Sequence, residues 1–145
     1  MIDIGGKEVV LREAIASGFI ALKPATIKAI GEKRIKKGDV AEISKAAGVM
    51  GAKMTPQNIP FCHPIPIDTV EPEIEFKQGG IEAKCTVRAH YRTGVEMEAL
   101  SCVNSMLLTI WDMVKYLEKD EKGGYSTTEI SRVKVLKKSK GSDGP

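Results

Sequence analysis

Apolar residues recur at helical spacing through one long segment in the second half of the chain. Between Ala99 and Leu117 they return every three or four positions, which places them on one face of an α-helix. The members of this stripe are Leu100, Val103, Leu107, Ile110, Val114 and Leu117. The spacing therefore predicts a long amphipathic helix from about Ala99 to Leu117, with this face packed on a core.

Two segments before this helix alternate with the period of two that is typical of a half-buried strand. Apolar side chains alternate with glutamates in residues 70–76 and with mixed polar residues in residues 81–89. Residues 78–80, with the sequence QGG, separate the two segments and favour a tight turn. These patterns predict a β-hairpin with one face on the core and with Arg88 and His90 on the other.

Weaker patterns predict four further elements. They are strands at Val9–Arg12 and Glu129–Leu136 and helices at Ala25–Arg34 and Val40–Ala47. Asp39 and Glu42 form a capping box at the start of the second of these helices. The resulting order, β-α-α-β-β-α-β, is a split βαβ pattern with one extra helix. It predicts an α+β fold of ferredoxin-like type, in which an antiparallel sheet packs against helices.

Length and composition limit the class of protein. The 145 residues fit a single domain, 1–145, and we expect a flexible tail from about residue 138. No run approaches the roughly 18 apolar residues of a membrane span, and no signal peptide is recognisable, so we expect a cytoplasmic protein. The three cysteines, Cys62, Cys85 and Cys102, are odd in number and lack CxxC spacing. This argues against a disulfide framework and against a structural zinc site.

Basic residues concentrate near the C-terminus, although the net charge is only +3. They are Arg132, Lys134, Lys137, Lys138 and Lys140. Such a cluster favours an anionic ligand and leaves open whether that ligand is a polymer or a metabolite.

Asp112 and Lys115 lie together on the long helix, nearly opposite its apolar stripe. They form either a solvated i,i+3 ion pair or part of a covered site. Leu108 lies on the same side, and an apolar residue there suggests that a ligand or another subunit covers this face. Cover of that kind raises the pKa of a carboxylate, whereas a nearby ammonium group opposes the rise.

Two other segments could carry chemistry. In IPFCHPIPID, residues 59–68, prolines stiffen the backbone around Cys62 and His63. His63 is either a satisfied core residue or an acid-base group. Glu96 and Glu98 flank Met97 at the start of the long helix. These carboxylates either complement the helix dipole or recognise a donor-rich base.

Lys37 precedes Gly38 and Asp39, a sharp turn into a helix N-terminus that could help to bind phosphate, although the spacing is not that of a P-loop.

Five segments, in this order, resemble the MoaC family of cyclic pyranopterin monophosphate synthases. They are KGDV (37–40), AAGVMGAKMT (46–55), IPFCHPIPI (59–67), TGVEMEAL (93–100) and TIWDMVK (109–115). The resemblance covers nearly the whole chain. It implies a lyase of molybdenum cofactor biosynthesis that converts a cyclised dihydroguanosine triphosphate to cyclic pyranopterin monophosphate and diphosphate. It also implies a homohexamer, a trimer of dimers with active sites at the dimer interface, supplied with substrate by a radical S-adenosylmethionine enzyme. We expect no cofactor, metal ion, nucleic acid or membrane partner.

The resemblance also implies roles for individual residues. Asp112 would be the acid-base aspartate, with Lys115 as its partner and Lys37 and Lys138 as further catalytic lysines. His63 would act in catalysis and contact the substrate. The other substrate-binding residues would be Phe61, Cys62, Glu96, Met97 and Glu98.

The chain departs from the family pattern at two places. Ile35 and Lys36 stand where a histidine often precedes KGD. The closing loop reads KSKGSDG instead of KSGGKSG, so that Lys138 fits but a second lysine is shifted to Lys140.

Two other functions remain open at this point: a small ferredoxin-like RNA-binding module with a basic tail, and a thiol hydrolase that uses Cys62 and His63. Aromatic residues on the sheet face, which RNA stacking requires, are scarce here.

Overall fold

Four strands and four helices make up residues 1–141, the part of the chain that the computed structural model describes. In chain order they are β1 (Val10–Ala21), α1 (Pro24–Gly31), α2 (Val40–Lys53), α3 (Thr55–Asn58), β2 (Thr69–Lys77), β3 (Gly80–Tyr91), α4 (Glu96–Glu118) and β4 (Glu129–Lys140). None of the helices among these residues combines the length and the apolar character needed to cross a membrane.

The strands form one sheet in the order β2-β3-β1-β4, and every neighbouring pair is antiparallel. β3 lies between β1 and β2, as a split βαβ arrangement requires. The predicted α+β class, with an antiparallel sheet packed against helices, is confirmed.

The core lies between one face of the sheet and α4. Ile20 of β1 and Ile81 and Val87 of β3 are fully buried against Leu107 and Ile110 of α4. α2 packs on the other side of α4, and its glycines permit this close approach. A Cβ atom at Gly51 would collide with Ser105 of α4. The apolar stripe predicted for the long helix is thus its buried face.

Several elements differ from the expectation, and β1, α2 and α3 differ most. β1 extends over 12 residues from Val10 to Ala21, not four. Its small residues, such as Ser17 and Gly18, are buried and hide the alternation that marks a strand. α2 continues past Gly48 to Lys53. α3 is an extra turn that begins beside Pro56.

The first residues of the predicted tail lie in β4. Lys138 pairs with Ala14 of β1, and Lys140 pairs with Arg12, so both belong to β4. Residues 142–145, the rest of the predicted tail, lie outside the described residues.

Two of the three cysteines pair, against expectation. Cys85 of β3 and Cys102 of α4 form a buried disulfide with a Cα–Cα distance of 6.3 Å. Cys62 is the free cysteine. The prediction of no disulfide is therefore wrong for this pair. The two cysteines carry no local spacing motif, because the fold alone brings β3 and α4 together.

Candidate active site

Asp112 lies between two lysines on the exposed face of α4. Lys115 Nζ is 3.0 Å from Asp112 Oδ1, and Lys37 Nζ is 3.1 Å from Oδ2. Lys37 also donates to the main-chain carbonyl of Asp112 at 3.0 Å. We call these three residues the Asp112 group.

The two lysines determine the electrostatics of this carboxylate. Hydrogen bonds from Lys115 and then Lys37 lower the pKa of Asp112 below its usual value, and Asp112 raises the pKa of Lys115 in turn. The Asp112 side chain remains 59% exposed in the single chain, so burial does not oppose this shift effectively. At neutral pH Asp112 is therefore an ionised carboxylate that contacts both lysines.

A tight turn brings Lys37 from a distant part of the sequence to α4. Gly38 has a φ of +127°. Residues with a side chain adopt this backbone conformation only at a cost in energy, so glycine suits the position. Asp39 then caps α2 by accepting a hydrogen bond from the Glu42 amide at 3.1 Å, as the capping-box spacing predicts. On the other side of Lys37, the Lys36 amide donates to the Tyr116 hydroxyl at 3.1 Å. Lys37 is thus held on both sides.

A cavity of about 800 Å³ lies at the other end of α4. Six of the residues predicted for the site or for substrate contact line it. They are Phe61, Cys62, His63, Glu96, Met97 and Lys138. We call these six residues the cavity group. Phe61 is 75% exposed and Met97 is 42% exposed, so the apolar part of this wall is open on the single chain.

An ion pair joins Lys138 and Glu96 of the cavity group. Lys138 Nζ lies 2.7 Å from Glu96 Oε1. Burial raises the pKa of Glu96, but the hydrogen bond from Lys138 and other contacts lower it by more. The net effect is a pKa below the ordinary value for a glutamate. A Cβ atom at Gly94 would collide with the Glu96 carboxylate. The glycine in TGVEMEAL therefore makes room for this side chain.

Glu98 lies beside the cavity and is 1% exposed. The Cys62 thiol donates to Glu98 Oε2 at 3.7 Å, while Oε1 has no hydrogen-bond partner among residues 1–141. Burial raises the pKa of Glu98. Burial and the neighbouring carboxylate also raise the pKa of Cys62 to about 11. Cys62 is therefore a protonated thiol at neutral pH, which makes it a poor nucleophile.

One chain does not bring all the predicted residues together. Glu96 and Asp112 are 16 positions apart on α4, which corresponds to about 24 Å along a helix. His63 and Lys138 line the cavity near Glu96, whereas Lys37 and Lys115 contact Asp112. The predicted residues thus form two groups at opposite ends of α4.

Two basic residues of the cavity wall were not predicted from the sequence. Lys7 and Arg12 both line it. The Arg12 guanidinium donates to the main-chain carbonyls of Tyr91 and Arg92 and is 8% exposed as a residue. An arginine inside a strand that is otherwise rich in buried residues is a signal that could have revealed it.

Among the described residues, no cluster of three or more histidine, cysteine or acidic side chains is arranged to hold a metal ion.

Comparisons with known proteins point to one family. A family model described as "MoaC family" matches residues 1–141. A probable cyclic pyranopterin monophosphate synthase from Sulfolobus acidocaldarius is 56% identical over 140 residues, 97% of this chain and 98% of the relative. Relatives with the same name in Aeropyrum pernix (55% identical; 97% of each chain) and Pyrococcus abyssi (54% identical; 97% of this chain, 88% of the relative) are similarly close.

Proposed function

This chain belongs to the MoaC family, and from that membership we propose that it is a cyclic pyranopterin monophosphate synthase, a lyase of molybdenum cofactor biosynthesis. Its substrate is (8S)-3',8-cyclo-7,8-dihydroguanosine 5'-triphosphate, and its products are cyclic pyranopterin monophosphate and diphosphate. The observation that carries the proposed mechanism is the exposed Asp112 carboxylate held by both Lys37 and Lys115.

Asp112 acts as a proton carrier in this mechanism. Opening the purine five-membered ring and building a pyrazine ring requires protons to move on and off nitrogen and carbon atoms. The lowered pKa of Asp112 keeps it ionised at neutral pH, so that it is in the form that can act as a base. Lys115 then stands beside it as an acid. A base and an acid held in contact can serve successive steps of the rearrangement.

The complete site requires two chains. The cavity group contains no aspartate, and none of Asp112, Lys37 and Lys115 lines the cavity. We place the Asp112 group of one chain at the mouth of the cavity of another, with the exposed Leu108, Phe61 and Met97 covered at this contact. This arrangement agrees with a dimer interface inside a homohexamer, and it covers the face of α4 that carries Leu108.

The lysines assist formation of the cyclic phosphate. A sugar hydroxyl attacks the α-phosphorus, and the bond to the leaving diphosphate breaks. Negative charge builds on the leaving oxygens, and ammonium groups such as those of Lys37 and Lys138 stabilise it. Arg12 and Lys7 add positive charge to the cavity wall.

The proline-rich loop positions the histidine. Residues 59–68 carry Cys62 and His63 to the cavity wall between α3 and β2. Prolines restrict the backbone before the substrate arrives, so less ordering is needed at each turnover. His63 then serves as a second proton carrier, and Glu96 binds the donor-rich edge of the pterin precursor. Glu98, which is buried beside the cavity, supports this wall through its contact with Cys62.

The two other functions have less support. The relatives carry the name of an enzyme, and no comparison supports RNA binding. A thiol hydrolase requires a thiolate paired with an imidazole, whereas the Cys62 thiol has a raised pKa and donates to Glu98 and to the His63 main-chain carbonyl.

The test is turnover by an Asp112→Asn variant. We expect it to assemble normally but to release diphosphate from the cyclised nucleotide at least about 100-fold more slowly, the range for loss of a positioned acid-base group. Asp68→Asn is a matched control, because Asp68 also pairs with a basic side chain, His90, but lies outside both groups. Diphosphate release by Asp112→Asn at the rate of the control would refute the mechanism.

A further inference from the structure

A second cavity, of about 400 Å³, is lined by basic side chains. It lies between α1, the loop after α1 and the last turns of α4. Four of its nine lining residues are cationic, and none is acidic within the described residues: Lys23, Lys28, Arg34 and Lys36. We call it the basic pocket.

The charges of the basic pocket are poorly neutralised. Arg34 pairs with the exposed Glu32 at 2.7 Å, but Lys23, Lys28 and Lys36 form no salt bridge with residues 1–141. The buried carboxylate Glu118 accepts hydrogen bonds from Thr26, Thr128 and the Lys23 amide, and Lys23 also helps to lower the pKa of Asp120. These two carboxylates offset only part of the pocket's positive charge. Like charges around one cavity repel each other, and a bound anion would relieve this repulsion.

The basic pocket adjoins the Asp112 group. Lys36 of the pocket precedes Lys37, and Tyr116 of the pocket follows Lys115. The Lys36 amide bonds to the Tyr116 hydroxyl at 3.1 Å, and the Lys36 ammonium lies 5.4 Å from the centre of the Tyr116 ring. One rigid contact is therefore shared by the pocket and by the turn that carries Lys37.

The lysines of the proposed mechanism have charged partners of their own. Lys37 and Lys115 share Asp112, and Lys138 pairs with Glu96. Diphosphate carries several negative charges, more than these partly neutralised groups can balance. We propose that the basic pocket binds inorganic diphosphate, the leaving group of the reaction, as it departs from the Asp112 group. This inference rests on the proposed function.

The experiment is calorimetric titration of the full chain with sodium diphosphate in the absence of divalent ions. Lys23→Gln/Lys28→Gln should raise the Kd for diphosphate by about tenfold or more, because it removes two of the pocket's charges. Lys77→Gln/Lys84→Gln, on β2 and β3, makes the same change in net charge and should leave the Kd within about twofold. Lys28→Gln alone should raise the Kd for diphosphate by a smaller factor. This single variant provides the test if the double variant assembles poorly. Equal affinity in the two double variants would overturn the proposal.

Steady-state kinetics distinguish the free leaving group from the triphosphate of the substrate. If the pocket binds departing diphosphate, Lys23→Gln/Lys28→Gln weakens product inhibition by diphosphate and leaves KM for the cyclised nucleotide nearly unchanged. A higher KM with unchanged inhibition would overturn it. Asp112→Asn leaves the four cations of the basic pocket in place, so Lys23→Gln/Lys28→Gln should weaken diphosphate binding in that background as well. A failure of the proposed chemistry and a failure of this pocket therefore give different results.

Discussion

Two carboxylates toward opposite ends of α4, Asp112 and Glu98, lie in opposite surroundings. Asp112 is exposed, has two lysines, and has a lowered pKa. Glu98 beside the cavity is 1% exposed, has an oxygen without a partner among residues 1–141, and has a raised pKa. One carboxylate is stabilised as an anion and the other is not. In the proposed two-chain site, these two carboxylates would therefore have different tasks.

The largest expected effect comes from recombining the two groups. Asp112→Asn and His63→Ala chains are each expected to be inactive. When the two variants are mixed under conditions that exchange subunits, half of the dimers contain one chain of each kind. Each of these mixed dimers has one of its two sites free of both substitutions. Activity should therefore return to about a quarter of the unmodified level, as pairwise symmetry requires. Turnover is measured before and after exchange.

The control for this experiment is a mixture of the unchanged protein with a chain that carries both substitutions. Activity that never exceeds background in the first mixture would contradict a site shared between chains, because residues from a single chain could not complement each other.

A medium effect is expected for the stability of Glu98→Gln. Because the pKa of Glu98 is raised in the folded state, ionisation of Glu98 lowers the free energy of unfolding at any pH above the folded-state pKa. This penalty disappears as the pH falls below the ordinary pKa of a glutamate. Glu98→Gln should therefore stabilise the protein at neutral pH by about 1–3 kcal/mol, the cost of a buried unsatisfied group, and should lose turnover. Denaturant unfolding at neutral and acidic pH measures the difference.

Asp112→Asn tests the same comparison from the other side. Its effect on stability should change with pH in the opposite direction to that of Glu98→Gln. The lowered pKa of Asp112 contributes stability above the ordinary pKa of an aspartate, and this stability is lost as the pH falls through the folded-state value. The Asn variant should be slightly less stable than the unmodified protein at neutral pH and equal to it in acid. Parallel pH profiles for the two variants would contradict the contrast between the groups.

The smallest effect is expected for Tyr116→Phe. This change removes the hydroxyl that accepts the Lys36 amide but keeps the ring. A net hydrogen bond contributes about 1 kcal/mol, so we expect a several-fold lower kcat with KM for the cyclised nucleotide nearly unchanged. Its pH-rate profile should also shift, because a less firmly held Lys37 would stabilise the Asp112 carboxylate less. Tyr91→Phe, on β3, is the control, and an identical kcat and pH profile in the two variants would remove Tyr116 from the positioning of Lys37.

Periodic patterns of apolar residues were enough to predict the buried faces of α4 and β3. The apolar stripe of α4 and the alternation of β3 match their buried faces. The Asp112–Lys115 pair followed from helical spacing alone and is present. In β1, small buried residues such as Gly18 blurred the same kind of pattern, and the strand was predicted too short.

Contacts between distant segments could not be predicted in this way. The Cys85–Cys102 disulfide and the place of Arg12 in the cavity wall depend on which strands become neighbours. The burial of Glu98 likewise depends on how the Cys62 loop packs over α4. The resemblance to a family supplied the site residues, but it did not show that one chain separates them into two groups.

The cavity has practical consequences for handling the protein. Met1 and Ile2 line it, and Lys138 enters it from the last strand. A purification tag or fluorophore joined to the N-terminus would crowd the place where substrate is expected to enter. The hairpin turn at Gln78 and Gly79 is at the far end of the sheet and is exposed, so it is the better place for a label or for attachment to a surface.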